Sequence, residues 1–227
     1  TTGTHNVLLG GLSGDALTTG VGNIAIGYES LSTEDADGKN VAVGHKTLKY
    51  QNAGADAYNV AVGYQAGINV STGINNVLIG GLAGDNLSTG TSNIALGYRA
   101  LTTEDTGSRN VAIGDNALAA LNYDGVGYNT AIGFYAGAAV TTGLKNNLLG
   151  GLAGDALTTG SNNVAIGYEA LTTEDTGSRN IAIGQSALGS LNYDGNGYNI
   201  AVGHNAGVAV TTGIKNTLVG GLAGDAL

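Results

Sequence analysis

The chain contains no cysteine, proline, methionine or tryptophan, and Phe134 is its only phenylalanine. Without cysteine there is no disulfide framework, no thiolate metal site and no thiol nucleophile. No apolar run approaches the ~20 residues of a membrane-spanning helix, so we expect no membrane insertion. The apolar residues are mostly Ala, Val, Leu and Ile, which predicts a thin and regular core.

Basic residues are also scarce. Eight Lys and Arg face 17 Asp and Glu, which gives a formal net charge of −9. A surface that follows a phosphate backbone needs clustered basic residues, and the sequence shows no such cluster. We therefore expect neither nucleic acid nor an anionic membrane as a partner. Glycine is abundant instead, with 41 residues where the usual ~7 % would give about 16.

One motif, Asn-x-x-φ-Gly with Ile, Leu or Val as φ, recurs along the whole chain. The spacings between its copies are 17, 17, 19 and 17 residues, and this series repeats as a super-repeat of 70 residues. Three super-repeats span 6–75, 76–145 and 146–215, with partial repeats at 1–5 and 216–227, so we expect a single repeat segment of a longer fibre. The motif opens at Asn6, Asn23, Asn40, Asn59, Asn76, Asn93, Asn110, Asn129, Asn146, Asn163, Asn180, Asn199 and Asn216.

The period predicts an all-β fold, a parallel β-solenoid (β-roll or β-helix) of about 13 coils of 17–19 residues. A helix pair would need ~33–47 residues, whereas one coil with two short strands and two turns fits the spacing. In Asn40-Val41-Ala42-Val43-Gly44 the two valines fall on one strand face and the alanine on the other. The recurring alanine leaves room for a neighbouring strand or for a second chain.

The Asn column is interpreted as structural, because Asn side chains can stack coil upon coil as a hydrogen-bond ladder. The Gly-Gly-x-x-Gly-Asp turns come near a calcium-binding pattern, but copies four coils apart, ~19 Å, cannot share an ion. We therefore expect no metal and no cofactor, and a turn or cap role for their aspartates, Asp15, Asp85, Asp155 and Asp225.

No catalytic residue is predicted. The Glu-Asp pairs lie in polar turns and are interpreted as solvated surface charge, since acid–base catalysis needs one site with unequal environments. His5, His45 and His204 occupy three non-equivalent repeat positions. The chain is therefore expected not to be an enzyme. The pairs are Glu34-Asp35, Glu104-Asp105 and Glu174-Asp175.

Tyrosine offers the only binding signal. Tyr123-Asp124 and Tyr193-Asp194 lie in Asn-Tyr-Asp-Gly turns and are candidate glycan contacts, because a tyrosine ring stacks on sugars while its hydroxyl forms hydrogen bonds. The alternative is that the tyrosines pack over small Gly and Ala neighbours and stiffen the corner.

A resemblance adds to this reading. The segments 23–31, Asn-Ile-Ala-Ile-Gly-Tyr-Glu-Ser-Leu, and 163–171, Asn-Val-Ala-Ile-Gly-Tyr-Glu-Ala-Leu, resemble the repeat arrays of bacteriophage tail-fibre-like proteins. They are more distantly similar to the head repeats of trimeric autotransporter adhesins. The resemblance implies three chains side by side about one axis and a role in surface attachment. A thin core agrees with such a homotrimer, packed through the alanine column.

The leading hypothesis is therefore a non-enzymatic structural shaft of an extracellular fibre, on a virion tail or a cell surface, that presents a receptor-binding region. The first alternative is an adhesin head that binds a cell-surface glycan or a matrix protein at many repeats. The second is a self-assembling surface filament. A carbohydrate-active enzyme on a β-helix would need one irregular carboxylate cluster, which the strict period argues against.

Overall fold

The computed structural model describes residues 2–36 and 38–227, which form a parallel β-solenoid of about 13 turns. No helix occurs among these residues. Each turn contributes one three-residue strand that starts directly after a repeated Asn. The solenoid fold predicted from the spacing is confirmed.

The chain divides into two compact units. The first comprises Thr1–Asn110 and Asn122–Val126. Its strands pair in parallel and in chain order, each residue facing the one 17 or 19 positions further on, as Val41 faces Val60. They are β1 (Val7–Leu9), β2 (Ile24–Ile26), β3 (Val41–Val43), β4 (Val60–Val62), β5 (Val77–Ile79) and β6 (Ile94–Leu96).

The second unit comprises Val111–Leu121 and Gly127–Leu227. Its seven strands also pair in parallel, and each strand pairs with the next one in the chain. They are β7 (Val111–Ile113), β8 (Thr130–Ile132), β9 (Asn147–Leu149), β10 (Val164–Ile166), β11 (Ile181–Ile183), β12 (Ile200–Val202) and β13 (Thr217–Val219).

The central residue of each strand points into its own coil. Ala42, Ala112 and Ala165 have no exposed surface, because a coil of 17–19 residues encloses little space and admits only a small side chain there. The expectation that the alanine column contacts a second chain is therefore wrong. The β-branched residues on either side of it point outward instead, and they are half-buried or exposed.

The side of the coil that follows the strand is a run of turns rather than the second strand that the spacing suggested. In the coil of β10 every other residue has a positive φ, at Gly167, Glu169 and Leu171, so the backbone cannot extend as a strand there. Its amides still bond neighbouring coils in alternating directions: the Glu169 N–H donates to the carbonyl of Gly151, and the Leu171 N–H to that of Ala187. Coil stacking is thus maintained without a second strand.

Large and small residues compensate for each other in the core: where the inward strand residue is large, the residues that contact it are small. In β9 the inward residue is Leu148 instead of Ala, and the preceding coil has Gly137 and the coil of Leu148 itself has Gly154 where other coils have a buried leucine. A Cβ on either glycine would lie 2.6 or 2.8 Å from a Leu148 methyl carbon. These two glycines are thus required because the leucine occupies their space.

Candidate functional site

The repeated asparagines form a continuous side-chain ladder inside each unit. Asn146, which is fully buried, shows the pattern. Its Oδ1 accepts a hydrogen bond from the backbone N–H of Asn163 in the next coil at 2.9 Å, and its Nδ2 donates to the carbonyl of Gly160 at 2.8 Å. One side chain thereby links two coils and holds the Thr-Gly corner of its own coil.

The three ladder positions that open inserted coils depart from this pattern, and in one of them the Nδ2 of Asn110 donates to the Oδ1 of Asn93 and to the carbonyl of Ser108, both at 3.4 Å. Asn40 and Asn180 open coils that carry the two-residue insertion in place of the Thr-Gly corner. Their buried Nδ2 atoms have no hydrogen-bond partner among the described residues. Their Oδ1 atoms still accept from the next backbone amides, those of Asn59 and Asn199, at 3.0 and 3.3 Å. The coils of Asn40 and Asn180 therefore keep the link between coils but lose the link to the corner.

The glutamates of the Glu-Asp pairs are buried, so the interpretation of these pairs as solvated charge is wrong for them. Glu34, Glu104 and Glu174 have no exposed surface. In the second copy Oε1 accepts from the Gly107 N–H at 2.7 Å and Oε2 accepts from the Tyr123 N–H at 3.3 Å. The Glu104 carboxylate therefore accepts hydrogen bonds from the corner of its own coil and from the inserted segment of the next coil, and so holds the two together.

Burial raises the pKa of Glu104 and of Glu174 above the ordinary glutamate value, although the backbone N–H groups of Gly107 and Gly177 oppose the shift. A carboxyl group whose pKa is raised on folding binds its proton more tightly in the folded chain than in the unfolded chain. Its contribution to stability is therefore fully present below the unfolded pKa, ~4.3, and is lost as pH rises through the raised folded value.

We expect the pH dependence of stability to differ between wild type and Glu174→Gln. The wild type should lose stability relative to the variant as pH rises from about 4 to neutrality, because only the wild type must bury a charge. Chemical denaturation across this range measures the difference. Glu104→Gln, at the equivalent buried carboxylate of another super-repeat, should differ from wild type in the same direction. A Glu174→Gln curve that runs parallel to wild type would contradict the assignment.

The aspartates of the Gly-Gly-x-x-Gly-Asp turns act within the chain. The carboxylate of Asp155 accepts a hydrogen bond from the Thr172 hydroxyl of the next coil at 2.5 Å, and Asp85 accepts in the same way from Thr102. Within the part of the chain that the structure describes, no group of three or more metal-ligating side chains is found. Asp85 and Asp155 therefore link successive coils through threonine hydroxyls.

The candidate glycan contacts are partly engaged inside the protein. Tyr123 and Tyr193 are half-buried, and each ring lies over the glycine two residues further on, Gly125 or Gly195. Asp124 accepts from the Thr106 hydroxyl at 2.6 Å, and Asp194 is held in the same way by Thr176. This arrangement matches the alternative that these tyrosines stiffen the corner.

Other aromatic rings are more exposed and form a column five residues after the repeated Asn. Tyr28, His45 and Tyr64 stack on successive coils with ring centroids 5.5 and 5.3 Å apart, and Tyr28 and Tyr64 are about half exposed. The ring faces contact one another, so the edges and hydroxyls face solvent. The three non-equivalent histidines hid this column at the sequence level, although His45 lies in register with the tyrosines.

The strands also present apolar side chains to the outside of the coil. We call the outward residues of the strands the outward face; in the second unit its fully apolar pairs are Val111/Ile113, Val164/Ile166, Ile181/Ile183 and Ile200/Val202. Ile132, Ile166 and Ile200 are 37–38 % exposed. Sequence reasoning identified these residues as β-branched strand positions but placed the contact surface on the alanine side.

Comparison with known proteins gives no match, neither to a protein-family model nor to a curated protein. The described part of the chain contains no helix with the length and apolarity needed to cross a membrane. A cavity of about 410 Å³ lies in the first turn and is lined by Gly3, His5, Asn6, Leu8, Leu17 and Thr18. Its lining contains no carboxylate, so it offers no acid–base pair.

Proposed function

We propose that the chain is a segment of a non-enzymatic shaft in an extracellular fibre, of the bacteriophage tail-fibre or spike type, which holds a receptor-binding region away from its base. The observation that carries the proposal is the Asn ladder. Each coil is tied to the next by strand hydrogen bonds and by a buried side chain, as Asn146 is to Asn163. A chain so connected resists extension at every coil, which is what a shaft requires.

We further propose that three chains associate side by side through the outward face. Parallel sheets in proteins are almost always covered on both faces, and here the inner face is covered by the coil while the outer face is mostly apolar and half exposed. Copies of one chain share the same coil spacing, so their β-branched rows meet in register along the full face. Cyclic symmetry lets each copy use the same surface, and the 70-residue super-repeat would keep equivalent coils level.

The variant Ile166→Lys/Ile200→Lys tests this assembly. Each lysine is tolerated in a single chain, since both sites are more than a third exposed, but would bury a charge in the trimer. We expect wild type to have three times the 22.3 kDa chain mass by light scattering and the variant to be monomeric.

Thr159→Lys/Asn192→Lys is the matched control, because it adds the same charge at exposed polar sites and should remain trimeric. A monomeric wild type would contradict the side-by-side assembly. A mass that grows without limit with concentration would instead support the self-assembling filament.

The adhesin-head alternative is the weaker proposal. It depends on Tyr123, Asp124, Tyr193 and Asp194, and the two aspartates are already held by threonine hydroxyls. A glycan array in which wild type binds and Tyr123→Ala/Tyr193→Ala does not would favour it over the shaft.

A further inference from the structure

The residue directly before each repeated Asn forms a second exposed column. These residues have φ near +60°, as at Lys145, Arg179 and Lys215, and the three side chains are exposed. Five of the eight basic residues of the chain occupy this one position, which no local sequence cluster reveals. They are Lys39, Arg109, Lys145, Arg179 and Lys215.

In the second unit the end of this column is a basic stripe, which we define as Lys145, Asn162, Arg179, Tyr198 and Lys215. The stripe contains no acidic residue. Successive coils stand one strand spacing apart, ~4.8 Å, so the three cations recur every second coil, about 10 Å apart.

The backbone fixes this spacing. The N–H of Lys145 donates to the carbonyl of Gly127 at 2.9 Å, and the N–H of Arg179 donates to that of Ser161 at 3.1 Å. The N–H of Lys215 bonds the preceding coil in the same way at 2.7 Å. Because the Cα positions are held by the coil, a repeating ligand meets a row of cations that is already spaced.

A tyrosine ring lies between two of the cations. The guanidinium carbon of Arg179 is 5.4 Å from the centre of the Tyr198 ring, and a guanidinium N–H donates to the Tyr198 hydroxyl. The ring is 47 % exposed. Lys145, Arg179 and Lys215 form no ion pair with any described residue, so their charges are available to an outside ligand.

The first copy of the repeat lacks this charge. Lys39 is paired with Asp56, and the coil after Tyr58 has Asn75 in the column. In the later copies the position of Asp56 is occupied by Val126 and Asn196, and that of Asn75 by Lys145 and Lys215. The later copies thus lose an acidic residue at one position and gain a lysine at the other, and both changes make the column more positive.

We propose that the basic stripe binds a linear acidic polysaccharide. Its carboxylates would pair with the cations, and the apolar face of a sugar ring would stack on Tyr198. Cations about 10 Å apart suit a polymer with one charge per disaccharide. Nucleic acid carries a phosphate every ~3.4 Å per strand, and the strongly negative chain would repel so dense a polyanion. The stripe belongs to a single chain, so this inference does not depend on trimer formation.

Calorimetric titration of the intact chain with a hyaluronan dodecamer, which carries one uronate carboxylate per disaccharide, tests the proposal, with a dextran dodecamer and a 12-nucleotide single-stranded DNA as the other probes. We expect wild type to bind the uronate, with affinity that falls as salt rises. Lys145→Gln/Arg179→Gln/Lys215→Gln should bind the uronate at least about tenfold more weakly than wild type. Tyr198→Ala should weaken binding, whereas Tyr198→Phe should retain most of it.

The matched control is Lys46→Gln/Lys49→Gln/Arg99→Gln, which removes the same number of positive charges away from the stripe and should bind like wild type. Absence of uronate binding at low salt would overturn the proposal. So would an equal loss of binding in both triple variants, since that would reflect net charge alone. Tighter binding of the DNA or equal binding of dextran would exclude an acidic polysaccharide as the preferred ligand.

Discussion

Asn146→Ala is expected to destabilise the chain by about 2–6 kcal/mol, since two buried backbone groups lose their partners at about 1–3 kcal/mol each. The two groups are the N–H of Asn163 and the carbonyl of Gly160, which the side chain of Asn146 satisfies together. The site is fully buried, so bulk solvent does not supply the two lost partners. Chemical denaturation measures the loss, and faster hydrogen exchange at the Asn163 amide locates it.

An asparagine outside the ladder and the outward face provides the control. Asn192 is exposed and lies outside the strands, so Asn192→Ala should change stability by less than about 0.5 kcal/mol. The two asparagines should therefore differ several-fold in effect. Equal effects at the two sites would show that the ladder does not stabilise the fold.

Gly150→Ala is expected to cost roughly 3 kcal/mol or more, because it combines a strained backbone with a steric clash. Gly150 has φ of +140°, and a Cβ there would lie 2.4 Å from the carbonyl oxygen of Gly167 in the next coil. Backbone atoms of two coils meet at this point, so no rotamer change relieves the contact. A shift in the denaturation midpoint measures the cost.

Gly151→Ala is the paired control for this second prediction. Its Cβ would meet a ring carbon of Tyr168 at 3.5 Å, an ordinary van der Waals distance, and its φ is not in the left-handed region. We expect a change of less than about 1 kcal/mol. If Gly151→Ala were the more damaging variant, the close approach of coils at Gly150 could not be the reason for the glycine column.

The sequence predicted the solenoid and its register because both follow from one periodic signal, the Asn before each strand. It could not predict which strand face is inward, since alanine fits either a tight interior or a close contact between chains. The coil cross-section decides this, and it places Ala165 inside and Ile166 outside. The second strand of each coil was wrongly predicted because alternating positive φ at residues such as Glu169 and Leu171 leaves no compositional mark beyond the glycines.

The buried glutamates show a different limit. A Glu-Asp pair in a polar turn normally faces solvent, and the sequence does not state that Glu104 folds inward to bond backbone amides of two segments. The basic stripe was hidden for another reason. Its cations are 34 and 36 residues apart in sequence and become neighbours only when coils stack. The signal that could have found them is their common position directly before the repeated Asn.

The proposed shaft depends most on the outward face being the contact between chains, and one distance tests this directly. The chain has no cysteine, so Ile183→Cys introduces a single site for a spin label on that face, and Asn192→Cys introduces one at an exposed site outside it. We predict an intermolecular distance on the order of the ~10 Å spacing of packed sheets for the Ile183 label, and a clearly longer one for the Asn192 label. An Ile183 label with no intermolecular coupling, or two labels with the same distance, would contradict the account.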